Sequence, residues 1–216
     1  MKKFELTTEF ITNALGKKLF RIKALVEFGS VKAGELGGYA EKEENISQDG
    51  NAWVYGDARV YGNAWVSGDA RVYGDAWVHG NAKVFGNAEV YDNAKVYGDA
   101  KVSDNAKVSD NAKVFGNAKV YGNAWVYGNA WVSGNARVSG DADYALVQGF
   151  GTEFRCTTFY RGKNKKIMVN CGCFHGDLEG FRKQVKETRN GKIAKEYLMI
   201  ADLMEYHFTS EDSSNE

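Results

Sequence analysis

Histidine and cysteine each occur three times in this chain of 216 residues, so their spacing is the first place to look for chemistry. Cys171, Cys173 and His175 alternate along one short stretch. Alternate residues of an extended chain face the same way. The three could therefore converge on one zinc ion with Cys156 opposite, since thiolate and imidazole both suit that metal. Two features argue against it. Zinc-binding cysteines commonly sit on tight knuckles with two residues between them, and Phe174 has the character of a core residue. The expectation is inert, buried or half-buried thiols and no cofactor, with Cys156, Cys171, Cys173 and His175 as the candidate metal set. His79 is the candidate general base, a role that needs a substrate proton within hydrogen-bond reach. It occupies a position that elsewhere holds Tyr or Ser, so it reads as a stand-in for an aromatic ring. The sequence contains no Ser-His-Asp set, metalloprotease helix or dinucleotide fingerprint. The run Gly34-Glu35-Leu36-Gly37-Gly38-Tyr39 lacks the lysine and the strand-to-helix setting of a phosphate loop, and reads as a turn-rich cap.

The element that must position these groups is a repeat. Ala recurs every six residues from Ala52 to Ala142, and Val from Val54 to Val138, without insertion or deletion. Such a strict period governs the fold. Ala and Val two apart share a face, so each unit predicts a short strand with both pointing inward. Gly-Asn, Gly-Asp or Asp-Asn then turns the chain, because these residues tolerate positive φ. Strand and corner repeated in phase wind a coil rather than a set of hairpins. The chain has no proline, as a ladder that uses every interior N–H requires.

Taking every third hexad sorts the outward residues into three faces. The first carries Trp53, Arg71, Glu89, Lys107 and Trp125, with Tyr55, Tyr73, Tyr91, Ser109 and Tyr127 after Val. The second carries Arg59, Trp77, Lys95, Lys113 and Trp131, with Tyr61, His79, Tyr97, Phe115 and Ser133. The third carries Trp65, Lys83, Lys101, Lys119 and Arg137. Two faces thus hold aromatic columns and the third a basic ladder. Aromatic columns can stack within one chain, pack against neighbouring subunits, or stack on sugars or bases. The ladder could attract small anions, although residues 50–143 hold nine Lys and Arg against ten Asp and Glu, as a solvated face would.

The repeat resembles the hexapeptide repeat of left-handed parallel β-helices. Val54 followed by Ala58, and Val60 by Ala64, match its aliphatic residue with a small inward residue four positions later. The resemblance implies a left-handed, three-sided coil of about five turns and a homotrimer with aromatic columns packed between subunits. Such helices often serve acyltransferases, which need a histidine near a subunit groove and usually a loop extruded from a coil; this repeat has no such loop. Related zinc carbonic anhydrases need three histidines at a subunit boundary, which one histidine in the repeat does not supply. A second resemblance covers the flanks. Cys171-Gly172-Cys173-Phe174-His175-Gly176-Asp177-Leu178-Glu179-Gly180-Phe181 is similar to the Gly-Cys-Phe-x-Gly-x-Leu-x-x-Phe stretch of a small domain in phage and prophage proteins, and the lead-in with Gly-Glu-Leu-Gly-Gly-Tyr is similar to that of phage hexapeptide proteins. It implies a phage-encoded protein in the bacterial cytoplasm.

Residues 1–49 read as an N-terminal β cap, with strands at 4–12 and 18–25 and with Val31, Leu36 and Ile46 as plugs, because an open solenoid end exposes apolar interior and strand edges. Residues 50–143 are the β-helix. Residues 144–209 read as a β-β-β-α-α module, with strands at 144–150, 153–161 and 165–173. Asp177 caps a helix carrying Leu178, Phe181 and Val185, Asn190-Gly191 stops it, and Ile193, Tyr197, Ile200 and Met204 mark a second helix. Residues 210–216 read as a loose polar tail. The fold class is mainly β. The formal net charge is zero, so no nucleic-acid or membrane partner is expected. The start lacks a signal peptide's apolar core, and an odd cysteine count does not suit a secreted disulfide framework. The functional expectation is a non-enzymatic oligomeric scaffold or binding protein acting on a host or phage protein, with interference in a host defence complex as one version. Two alternatives remain open. One is an acyltransferase-like enzyme using grooves between subunits. The other is a binder of small, nucleotide-like anions at Lys83, Lys101, Lys119 and Arg137. The aromatic columns, chiefly Tyr55, Tyr73, Tyr91, Trp125, Tyr127, Trp77 and Trp131, are the expected packing surface.

Overall fold

The computed structural model describes residues 2–209, and every count refers to these. The expected tail, 210–216, lies outside them. Strands β1 (Phe4–Thr12), β2 (Lys18–Ala24) and β3 (Leu36–Ala40) come first. Fifteen two-residue strands follow, from β4 (Trp53–Val54), β5 (Arg59–Val60) and β6 (Trp65–Val66), one every six residues, to β18 (Arg137–Val138). Each of the first twelve pairs in parallel with the strand eighteen residues on, as in Trp53↔Arg71 and Lys83↔Lys101. Three such pairings make the three faces of a parallel β-solenoid.

The winding runs for about six turns rather than five. β3 pairs in parallel with β5 through Tyr39↔Arg59 and Ala40↔Val60, and Ile46 bridges Val66. Residues 39–51 therefore form a coil ahead of the repeat. Its first two sides pair at a spacing of twenty residues, so two extra residues lie between Ile46 and Trp53. These residues do not follow the hexad because one side of this coil meets the cap instead of another coil.

The repeated Ala and Val, from Ala52 to Val138, are at most 1% exposed. This column is narrow, so much of the order rests on the ladder, in which N–H of residue i donates to the carbonyl of i+17: Trp53 N to Ala70 O at 3.1 Å, Lys101 N to Ala118 O at 2.9 Å. Corners take positive φ at glycine, and at Asp92, Asp104 and Asp110 as well, with φ of 56°, 58° and 56°. A Cβ is disfavoured there. At two of the three, the carboxylate offsets that cost by accepting from the corner amide of the next coil: Gly122 N to Asp104 Oδ2 at 3.0 Å and Gly128 N to Asp110 Oδ2 at 2.8 Å.

A parallel ladder leaves backbone N–H and C=O groups open at both of its ends. The first repeat coil leaves alanine carbonyls without a donor. Lys3 Nζ donates to Ala52 O at 3.0 Å, Tyr39 N to Ala58 O at 2.9 Å, and Asn45 Nδ2 to Ala64 O at 2.8 Å. The last coil leaves amides without an acceptor. Asp141 Oδ1 accepts from Trp125 N at 3.0 Å, Thr158 Oγ1 from Trp131 N at 3.0 Å, and Asp143 Oδ2 from Ser139 N at 2.7 Å. Buried polar groups left unmade are costly, and both caps supply the partners that each end lacks.

The N-terminal cap packs Phe4 and Phe28 edge-on against Trp53, at centroid distances of 5.9 and 5.3 Å. Trp53, on the outward side of its strand, is thereby fully buried beneath the cap. Val31 and Ile46 plug the end as expected, whereas Leu36 is half exposed; Ile22 and Phe4 join the core instead.

The C-terminal module has four strands, not three: β19 (Tyr144–Phe150), β20 (Arg155–Arg161), β21 (Ile167–Cys171) and β22 (Phe174–Asp177), an antiparallel meander. The stretch expected as one strand over 165–173 ends at Cys171, because Gly172, at φ 59°, and Cys173 form a two-residue turn. Helices α1 (Leu178–Thr188) and α2 (Gly191–Thr209) cover one side of this sheet with Phe181, Val185, Tyr197, Ile200 and Met204, against Phe159 and Val169. Asp177 caps α1, accepting from Gly180 N at 2.9 Å. The other side of the sheet closes the solenoid, where Tyr144 and Tyr160 join its core.

Candidate functional site

The aromatic columns are stacks within the chain. Tyr61, His79, Tyr97 and Phe115 stand in one pile, with centroids 4.8, 5.1 and 5.0 Å apart and planes within 8°. Tyr73 and Tyr91 stack at 4.8 Å. Tyr55 sits beside Ser30, their hydroxyls 3.3 Å apart, and Tyr127 lies between Trp125 and Tyr144. His79 therefore has a tyrosine on each face. Burial, with the Lys95 charge nearby, holds its imidazole below the usual histidine range. Burial also raises the phenols of Tyr61, Tyr73 and Tyr97.

The basic ladder is in register: Lys83, Lys101, Lys119 and Arg137 pair directly, and Lys83 Nζ lies 5.9 Å from the Trp65 ring. On the second face cations flank the indoles. Arg59 and Lys95 flank Trp77 at 5.2 and 4.4 Å, and Lys113 Nζ lies 4.3 Å from the Trp131 ring centroid.

The cysteines and His175 do not converge. Cys171 packs with the helix-side core and accepts from Thr157 Oγ1 at 3.1 Å. Cys173 is in the exposed turn. His175 pairs across the hairpin with Asn170 and meets the solenoid end. The expectation that alternate positions share a face failed because the turn at Gly172 and Cys173 breaks the strand between them. Among the described residues no group of three His, Cys, Asp or Glu side chains is placed to hold a metal.

The structure assembles instead a polar junction that the sequence reading missed. Asn170 Nδ2 donates to Trp131 O at 2.7 Å and to Ser133 Oγ at 3.1 Å. Its Oδ1 accepts from His175 Nδ1 at 2.6 Å, which sets the histidine tautomer. The Tyr160 hydroxyl lies 3.3 Å from Ser133 Oγ and 3.4 Å from His175 Nδ1, and burial raises its pKa. Thr158 and Asn170 thus hold both backbone polar groups of Trp131. Beside them opens a cleft of about 550 Å³ lined by Asn111, Lys113, Asn129, Trp131, Cys156, Thr158, Asn170 and Gly172. Burial pushes the Cys156 thiol up, opposed by a hydrogen bond with Thr158, so the thiol stays protonated and weakly nucleophilic. A usable signal was present in Asn170, an asparagine inside an otherwise apolar strand, where that residue is disfavoured.

No curated protein matches this chain. Residues 52–68, 64–80 and 118–134 match the family model described as the YdcK beta solenoid repeat. With that match and the observed winding, the chain is a mainly β protein built on a parallel β-solenoid repeat, with a small sheet-and-helix module at its C-terminal end.

Proposed function

We propose that the chain is a non-enzymatic oligomeric scaffold or binding protein. It is a stiff rod that offers its outward ladders and its C-terminal module to a protein partner. One observation carries this reading: the repeat's ring columns are spent on intrachain stacking and both ends are closed, leaving Trp65, Trp125 and Trp131 about 40% exposed on the flanks. Outward indoles of this kind suit contacts with another surface. The winding is left-handed and the assembly a homotrimer in this proposal, as the hexapeptide resemblance implies. The setting is the cytoplasm of a bacterial host carrying a phage, and the partner is a host or phage protein, with a host defence complex as one version. No described helix is long and apolar enough to cross a membrane. Light scattering on the purified chain tests the assembly: a trimer that dissociates in a Trp65→Glu, Trp125→Glu variant supports it, and a strict monomer at micromolar concentration overturns it. Capture from a phage-carrying lysate, with that variant as control, tests the partner.

A second reading has the in-register basic ladder in its favour. Strands lie about 4.8 Å apart, so Lys83, Lys101, Lys119 and Arg137 make a row of positive charge that suits nucleotide-like anions. A thermal shift with nucleotides that disappears in Lys101→Glu supports it. The acyltransferase-like alternative needs His79 as base, and the tyrosine on each of its faces weighs against that role; acyl transfer abolished by His79→Ala would restore it.

A further inference from the structure

We propose that the cleft beside Trp131 binds a pyranose bearing a single carboxylate. The indole of Trp131 is 40% exposed, and the backbone that carries it is fixed, because Thr158 Oγ1 accepts from its main-chain N–H and Asn170 Nδ2 donates to its main-chain carbonyl. β17 (Trp131–Val132) pairs with β14 (Lys113–Val114) and its Trp131 N–H reaches Thr158 of β20, and Lys113 Nζ lies 4.3 Å from the ring centroid. The exposed face of the indole away from Lys113 takes the C–H face of a sugar ring. Asn111 and Asn129 line the same cleft from successive coils. Elsewhere the corner amides bond along the stack, as Asn63 to Asn81 and Asn87 to Asn105 to Asn123. Among the described residues no such bond joins Asn111 to Asn129, so each keeps a donor and an acceptor, the pattern that neighbouring hydroxyls match.

The charge points to one negative group. Among the described residues of the lining, Lys113 is the one ionised side chain. A phosphate would seek backbone amides as well, but the Gly128 amide at this corner is already taken by Asp110 Oδ2 at 2.8 Å. That fixed carboxylate repels a doubly charged ligand more than a singly charged one. The raised, protonated thiol of Cys156 makes the site one for binding without covalent capture. The volume of about 550 Å³ lies within the range of small-molecule clefts.

Isothermal titration of the full chain with galacturonate, which carries one carboxylate, tests the assignment. The expected result is saturable binding, about tenfold or more weaker in Lys113→Met and in Trp131→Ala, and lost for neutral lactose. Tyr206→Ala, an exposed ring on α2 outside every proposed contact, leaves it unchanged. Thermal melts of each variant show that it is folded, and Lys113→Met, a partly exposed change outside the core, carries the test if Trp131→Ala does not fold. Absence of saturable binding at millimolar uronate, equal affinity in the folded variants, or tighter binding of AMP or inorganic phosphate than of the uronate overturns the proposal.

Discussion

Asn170 donates to the carbonyl oxygen of Trp131 across 2.7 Å, and through this bond the C-terminal sheet grips the last coil of the solenoid. The same side chain also serves Ser133 and His175. Asn170→Ala leaves the part-buried Trp131 carbonyl without its donor and His175 Nδ1 without its nearest acceptor, at a cost of about 1–3 kcal/mol. Urea denaturation should show that loss. Amide exchange near residues 131–133 should rise more than exchange in the middle coils.

His79 makes the stack sensitive to acid. Its folded pKa is depressed by burial and by Lys95, so the unfolded chain takes a proton first as pH falls through about 6.5. Stability contributed by the neutral ring is present above that pH and is lost as pH drops toward the folded value. The expected outcome is a melting temperature that declines from pH 7 to pH 5. His79→Phe, which keeps the stack and removes the titration, should flatten the decline.

The tyrosines set the alkaline limit by the opposite sign. Burial raises the folded pKa of Tyr61, Tyr73 and Tyr97, so the unfolded chain loses phenolic protons first above pH of about 10. Stability should fall as pH rises past that point. A Tyr73→Phe variant should retain more of it, as read from denaturant midpoints at pH 9 and pH 11.

Corner substitutions should invert the usual preference for alanine over glycine. At Asp110, φ is 56° and the carboxylate holds Gly128 N. Asp110→Ala loses the bond and keeps a Cβ in the left-handed region, costing about 1–3 kcal/mol. Asp110→Gly should cost less, since it relieves the backbone. At Gly74 an added Cβ would come within 2.9 Å of Asp92 N on the next coil, so Gly74→Ala should cost more than a strained φ alone. Thermal melts of the three variants rank these effects.

The coil was legible because its inward Ala and Val repeat in step with the backbone geometry. The outward columns followed from arithmetic on the same step. The coil before the repeat was not legible, since Tyr39–Arg59 pairing depends on backbone position and its residues need not match the hexad. Leu36 was misread as a plug because the apolar character of a residue says nothing about which way a turn-rich segment directs it. The metal candidates looked convergent only while alternation was carried through Gly172, whose positive φ reverses the chain. The junction at Asn170 and the cleft by Trp131 depend on a sheet from one region meeting a coil from another, and no local pattern reports such a meeting.

The eighteen-residue pairing step, shared out over three sheets, makes the rod adjustable in two distinct ways. Adding three hexads lengthens it by about 4.8 Å and leaves the terminal module facing as before. Adding a single hexad swings that module by a third of a revolution, onto a neighbouring flank. Reach and bearing can thus be changed separately by short in-frame duplications, while the closures at either extremity stay untouched.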